Sequence, residues 1–327
     1  MKLKSLAPKE ATVKYRQSPC SGNEINGLGE KKFRRANYIY HSNGKSGPLP
    51  FDKMQHVFRY SVPAKMLPRI IRGAWATFRA QGSLNESQLR VSDAEKMTQQ
   101  IKDKAKELGA GVVGICELKD EYLVDGAKNK YRYAISLGLP MDRERMLSVP
   151  GHTAAMEVQR VYTQGSYLTV DLTRYIRSLG WPAKALPINS SSEYLHIPIA
   201  IASGIGELGK HGSLICKEYG SNFRLTTVVT DLPLVIDEPI DIGVEDICAT
   251  CQACTRGCPP DAIFNEKQWV RGTKKWYVDF DKCMPYFSST YGCGICLEVC
   301  PWSEPGRGPK LSEMLFGLRD KKTDKPT

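Results

Sequence analysis

The apolar positions of this chain change period several times, and each change marks an element. Ser92 stands before DAEKMTQQIKDKAKELGAG, which predicts a helix with a serine N-cap, an acidic first turn and a glycine stop. GVVGICEL (111–118) is apolar without a break and predicts a buried strand, and YRYAISLGLP (131–140) predicts another. A long helix follows from about His152 to Leu179, ending at Gly180. Val158, Val161, Leu168, Leu172, Tyr175, Ile176 and Leu179 recur there at helical spacing. HIPIAIASGIGELGKHGSLI (196–215) predicts a helix and then a glycine-rich turn. RLTTVVTDLPL (224–234) predicts a β-branched strand ending in a turn. Helices alternating with strands predict an α/β or α+β sandwich over 91–243.

The flanks are less regular. Residues 1–90 are basic and broken by proline and glycine, and we expect them to wrap or cap the core. NGKSGPLP (43–50) is a loop by its turn residues, and AKMLPRIIRGAWATFRA (64–80) predicts a helix interrupted at Pro68. Residues 306–327 form a polar tail expected to fray. No run reaches the roughly 18 apolar residues of a membrane span. MKLKSLAPKE lacks the apolar core of a signal peptide, and no apolar run follows the twin arginine Arg34–Arg35. We therefore expect a cytoplasmic protein with the arginines on its surface.

Charge and cysteine change the picture. The chain has 327 residues and a formal charge of +11, which suits anionic partners. No nucleic-acid motif accompanies the charge, so an acidic electron carrier is the expected partner rather than nucleic acid. Eight of the eleven cysteines fall in two runs. The first, CATCQACTRGCPP, spaces Cys248, Cys251, Cys254 and Cys258 as C-x2-C-x2-C-x3-C-P. The second places Cys283 ahead of Cys293, Cys296 and Cys300, the last followed by Pro301. In the bacterial-ferredoxin run three cysteines hold one cluster and the fourth ligates the other. That logic assigns Cys248, Cys251, Cys254 and Cys300 to one [4Fe–4S] cluster, and Cys258, Cys283, Cys293 and Cys296 to the second. Four disulfides or two zinc sites are the competing readings, and the interlocked spacing with two Cys-Pro endings favours iron–sulfur. Cys116 and Cys216 sit in apolar runs and are expected to be small buried hydrophobes.

A cluster module needs about 60 residues of this kind, and it occupies 244–305 here. The preceding 91–243 stretch carries neither G-x-G-x-x-G after a strand nor a P-loop. A redox site there needs a cofactor of another kind. ASGIGELGKHGSLICKEYGSNFRLTTVV and its continuation through CATCQACTRGCPPDAIF resemble the cobalamin-dependent reductive dehalogenases. So do VRGTKKWYVDFDKCMPYFSSTYGCGICLEVCPWSEPG and YIRSLGWPAK, so that the resemblance covers roughly residues 91–305 in order. It implies a nitroreductase-like cobalamin-binding α/β sandwich over 91–243, followed by a ferredoxin-like domain with two [4Fe–4S] clusters. It implies a base-off corrinoid, an organohalide substrate, and an external low-potential electron donor such as a ferredoxin, a flavodoxin or a reductase.

The resemblance also implies roles for residues. Tyr162, in QRVYTQGSY, matches the family's proton donor, and Arg224, in SNFRL, matches the basic residue that favours its phenolate and sits near the leaving halide. Tyr167 is the rival donor, a core position is the bland reading of Tyr162, and an ion pair with Asp231 is that of Arg224. Asn189 and Ser192 are expected among the cofactor-binding residues, Asn189 also as a polar group of the substrate pocket. Gly204, Gly206, Gly209 and Gly212 match the turn beside the corrinoid, although a tight helix exit also wants glycine. His211 is read as a pocket or surface residue, since a base-off corrinoid in this family has no lower histidine. GIGELGKHGSLI also resembles epoxyqueuosine reductase, but that family's catalytic aspartate falls at Ser190 here. A cobalamin-dependent reductase of a non-halogenated substrate and a bare electron-transfer protein therefore stand beside the dehalogenase reading.

Overall fold

The computed structural model describes residues 21–37, 67–78, 82–187 and 193–323. Helix α1 is Leu67–Phe78 and α2 is Ala94–Glu107. A four-stranded sheet holds β1 (Val112–Glu117), β2 (Tyr133–Pro140), β3 (Ala183–Leu186) and β6 (Phe223–Thr230) in the order β1-β2-β6-β3, with every pairing antiparallel. The long helix α3 spans His152–Ser178, and α4 spans His196–Ala202. Between α4 and β6 the chain makes a small hairpin, β4 (Glu207–Leu208) with β5 (Leu214–Ile215).

Side-chain alternation decides what covers each face of the sheet. Ile135, Leu137, Leu139 and Val228 point into one core with Met97 and Ile101 of α2 and Val161, Leu168, Leu172 and Ile176 of α3. Each of those α3 side chains is buried, worth ~1.5–3 kcal/mol apiece in transfer terms. Phe223 and Val229 point the other way, toward the side of α4. Gly114 makes that second layer possible, because a Cβ there would stand 2.0 Å from the Ser203 carbonyl oxygen at the end of α4. The result is a helix–sheet–helix sandwich, as the alternation predicts.

Three local expectations are corrected. Asp93, not Ser92, caps α2: its carboxylate accepts the Lys96 N–H at 3.0 Å. Pro68 does not interrupt α1, which runs unbroken from Leu67 to Phe78. The expected fraying tail is helix α9 (Arg307–Thr323). Ser312 Oγ donates to the Ile242 carbonyl at 2.7 Å, and Arg319 pairs with Asp241 and Asp246.

The elements between β6 and α9 belong to the cysteine-bearing module. They are α5 (Val244–Thr250), α6 (Ala253–Gly257), the hairpin β7–β8 (Gln268–Val270 and Thr273–Lys275), α7 (Phe280–Ser289) and α8 (Ile295–Glu298). Residues 21–37 strap this module to the sandwich. Gly22 N–H donates to Asp281 Oδ1 at 2.7 Å and Asn23 Nδ2 to Asp279 Oδ1 at 2.8 Å. At the other end Arg35 pairs with Asp120 at 2.8 Å and Ala36 bridges Val124. Arg34 is held by Glu30 at 2.7 Å. Of the twin arginine, Arg35 thus clasps the strap to the sandwich, while Arg34 tightens the strap on itself.

Candidate active site and metal centres

The module folds its two runs toward each other. Short helices α5 and α6 present Cys248 and Cys254, and the chain returns after α8 to bring Cys300 alongside. Cys248, Cys251, Cys254 and Cys300 line one small cavity, together with Lys210, His211, Ile247, Pro301 and Trp302. Among the described residues no three His, Cys, Asp or Glu side chains converge tightly enough to hold a single ion. The thiols surround a volume instead. Burial pushes the Cys248 thiol up to about 11 and the Cys300 thiol up to about 12, so metal loading there must expel protons. The indole Nε1 atoms of Trp302 and Trp276 are buried without a hydrogen-bond partner. Trp302 lines the cavity itself. Sulfide-rich walls would accept such donors, so these residues fit an iron–sulfur cluster.

The second set gathers beside the first. Cys254 and Cys258 share an apolar cluster with Ala262 and Ile263, and Cys283 and Cys296 pack against it. Ala262 N–H donates to Cys258 Sγ at 3.4 Å. Cys283 is pushed up to about 12 by burial and then by its neighbours Cys258 and Cys293. Cys296 is raised well above its ordinary value by the same causes. The backbone that presents them is unusual: Tyr291, Gly292, Cys293 and Gly294 all have positive φ, of 55°, 94°, 43° and 91°. Non-glycine residues hold such angles only where the surroundings over-determine them, and such strain gathers at ligand clamps. Tyr286 Oη is buried and unpartnered in this region, and its phenol is raised by burial and by Cys293 and Cys258.

On the sandwich, Tyr162 of α3 and Arg224 of β6 meet. The guanidinium carbon stands 5.8 Å from the phenol ring centroid. Arg224 does not pair with Asp231, whose carboxylate accepts the Arg132 N–H at 2.9 Å. Arg224 Nε is buried and has no partner. A donor stranded in that way costs about 1–3 kcal/mol unless something binds it. Tyr167 lies five residues along α3, about 140° around the helix axis from Tyr162. The two tyrosines therefore cannot serve one spot.

Other expected residues fare differently. Asn189 and Ser192 lie outside the described residues. The four glycines have a reason within the chain. A Cβ on Gly204 would stand 2.5 Å from the Glu238 carbonyl oxygen, and on Gly206 2.0 Å from that of Ile215. On Gly209 it would meet His211, and on Gly212, with φ +77°, Val278. These are close approaches of the protein to itself, as the tight-turn reading required. His211 is no surface residue. It is 6% exposed; Ser213 N–H donates to its Nδ1 at 3.1 Å, so Nε2 carries the proton toward Ser221 Oγ at 2.9 Å. Burial drops it to about 4, which keeps it neutral. Cys116 and Cys216 are buried as expected. Lys210, which sequence reasoning passed over, lies inside the cavity wall. Its signal was a lone cation between two apolar runs, GIGEL and SLIC.

Comparison with known proteins follows the same division. Residues 247–303 match a family model described as a 4Fe-4S dicluster domain. A tetrachloroethene reductive dehalogenase of Sulfurospirillum multivorans is 32% identical over 197 residues, 58% of this chain and 38% of that protein. An epoxyqueuosine reductase of Cyclobacterium marinum is 33% identical over 121 residues, 32% of this chain and 35% of that protein. A solved catabolic reductive dehalogenase superposes with a TM-score of 0.73 at 25% identity, covering 83% of this chain and 41% of the other. A second solved reductive dehalogenase, described in connection with B12-dependent dehalogenation, has a TM-score of 0.73 at 22% identity and covers 94% and 47%. The chain spans less than half the length of each of these relatives. The chain is thus similar to the reductive dehalogenases across the sandwich and the dicluster domain, and over a shorter stretch to the epoxyqueuosine reductases.

Proposed function

We propose that this chain carries the corrinoid- and cluster-binding part of a reductive dehalogenase, which replaces halogen by hydrogen on an organohalide, a halogenated aromatic being the favoured class. The observation that carries the reading is the Tyr162–Arg224 pair with its unspent Arg224 Nε. The balance of the reaction is an organohalide plus two electrons and one proton, giving the hydrogenated product and halide. A cobalamin bound base-off at this face of the sandwich would supply the low-potential cobalt that breaks the carbon–halogen bond. Cys248, Cys251, Cys254 and Cys300 would hold one cluster and Cys258, Cys283, Cys293 and Cys296 the other, delivering electrons singly from an external donor.

The chain's own residues handle the proton and the anion. The Tyr162 hydroxyl hands its proton to the carbon that loses halogen. The Arg224 guanidinium, held over the ring, stabilises the phenolate left behind and offers Nε–H to the departing halide. The sheet and α3 fix both groups before substrate arrives, so little reorganisation is needed. The test is anaerobic purification from cells supplied with cobalamin, then ion chromatography for halide released from a panel of halogenated phenols and ethenes. Stoichiometric halide supports the reading. Corrinoid without halide release from any of them would move the function to a reductase of a non-halogenated substrate. The likeness to epoxyqueuosine reductase over 121 residues supports that second reading.

A further inference from the structure

Lysine is seldom fully buried unless it is paired, yet Lys210 is 1% exposed. Its Nζ donates to the Cys251 carbonyl oxygen at 2.9 Å and stands 4.8 Å from the Trp276 ring centroid. Its backbone N–H points to Cys248 Sγ at 3.4 Å. Among the described residues no carboxylate lies within ion-pair distance. The nearest acid along the chain, Glu207, spends one oxygen on the Ile242 and Val244 N–H groups. Lys267 reaches the same indole at 5.6 Å but is already paired with Glu245. One carbonyl and one aromatic face offer Lys210 only partial negative charge. Uncompensated burial of a full charge is strongly unfavourable.

We infer that Lys210 is the built-in counter-cation of an anionic cluster in the Cys248–Cys251–Cys254–Cys300 cavity and raises that cluster's reduction potential. The inference rests on the cluster reading above. A four-iron cluster held by four thiolates is an anion, and reduction adds one more negative charge to it. A fixed positive charge in the cavity wall therefore favours the reduced form over the oxidised one. The β4–β5 hairpin, tightened by Gly206 against Ile215, carries Lys210 into that wall. Lys210 acts by position and charge and touches no substrate.

The test is an anaerobic redox titration of the cluster-loaded protein followed by electron paramagnetic resonance, with Lys210→Gln, Lys210→Met and Lys210→Arg. The signal of this cluster is identified as the one lost in Cys248→Ser. Gln keeps a donor for the Cys251 carbonyl but no charge. Both Gln and Met should lower this cluster's reduction constant tenfold or more, about 59 mV for one electron. Arg should stay within about threefold of wild type, and the second cluster should not move in any variant. If Met yields no folded protein, Gln alone decides. A Gln variant within threefold of wild type with its iron retained overturns the inference, as does an Arg variant as low as Gln. A Cys248→Ser variant that keeps the full iron content of wild type overturns the cluster reading itself, and the counter-cation falls with it.

Discussion

At the scale of single residues the strongest expectation concerns a proton. Tyr162 and Arg224 come from elements 62 positions apart in sequence, and the sheet register brings them together through the pairing of Arg224 with Leu139 on β2. If the phenol is the donor, Tyr162→Phe should lower kcat by about 10²–10⁴-fold, the ordinary contribution of a placed acid. Corrinoid content, read by absorbance, should be unchanged. Tyr167→Phe should leave kcat within about threefold, because Tyr167 points elsewhere on α3. Equal losses in the two would mean that neither hydroxyl is the donor. Little of this geometry was legible in the chain. The residues were picked out by resemblance to a family, and spacing alone left Tyr162 as a core position and Arg224 paired with Asp231. The structure gives Asp231 to Arg132.

Among elements, α3 carries a buried charge in its second turn. Glu157 has a fully buried side chain, accepts the Asp142 N–H at 2.8 Å and pairs with Arg160 at 2.6 Å. Burial alone would raise its carboxyl, but the Arg160 hydrogen bonds, the Asp142 N–H and the charge of Arg145 hold it below the ordinary glutamate value. A depressed folded pKa means stability that is present above the unfolded value and lost as pH falls through the folded one. Glu157→Gln should therefore destabilise the chain near neutral pH by ~1–3 kcal/mol, the exposed arginines discounting a larger figure. The gap from wild type should begin to narrow below about pH 4.3, the ordinary glutamate pKa, and close once pH falls past the depressed folded value. Denaturant melts at pH 7 and pH 3.5 measure both. A gap that widened in acid would mean that Glu157 is held protonated. The helix itself was legible because its apolar positions keep period over 27 residues. Helix α9 was not, since its exposed Met314 and Leu318 and its interior glycines blur any stripe. What holds it is tertiary: Leu315 packs over Gly243, and Arg319 meets two aspartates.

At the scale of the whole molecule the two cysteine runs were the most legible feature, because ligand spacing is written directly in sequence. What spacing cannot carry is the wall around the ligands. Lys210, His211 and Trp302 reach the cavity from the β4–β5 hairpin and from beyond α8, by routes that only the fold defines. The two parts of the chain share a packed seam. Met146 and Val149 of the sandwich pack with Ile295 and Cys293 of the module, and Arg143 pairs with Glu298 across the same seam. Loading the clusters should therefore stiffen the sandwich as well as the module. The protein loaded anaerobically should contain about eight irons per chain, as two four-iron clusters require. Cys283→Ser should lose about half of them, because the proposed ligand sets give Cys283 to one cluster and leave the Cys248 cavity complete. Removing all the iron with a chelator should lower the melting temperature and raise amide exchange in β2 and α3, not only in residues 244–303. Binding that favours the folded state stabilises it by mass action wherever folding is cooperative. Exchange that rose in the module alone, with β2 and α3 unchanged, would mean that the seam at Arg143–Glu298 transmits nothing and that the two parts fold independently.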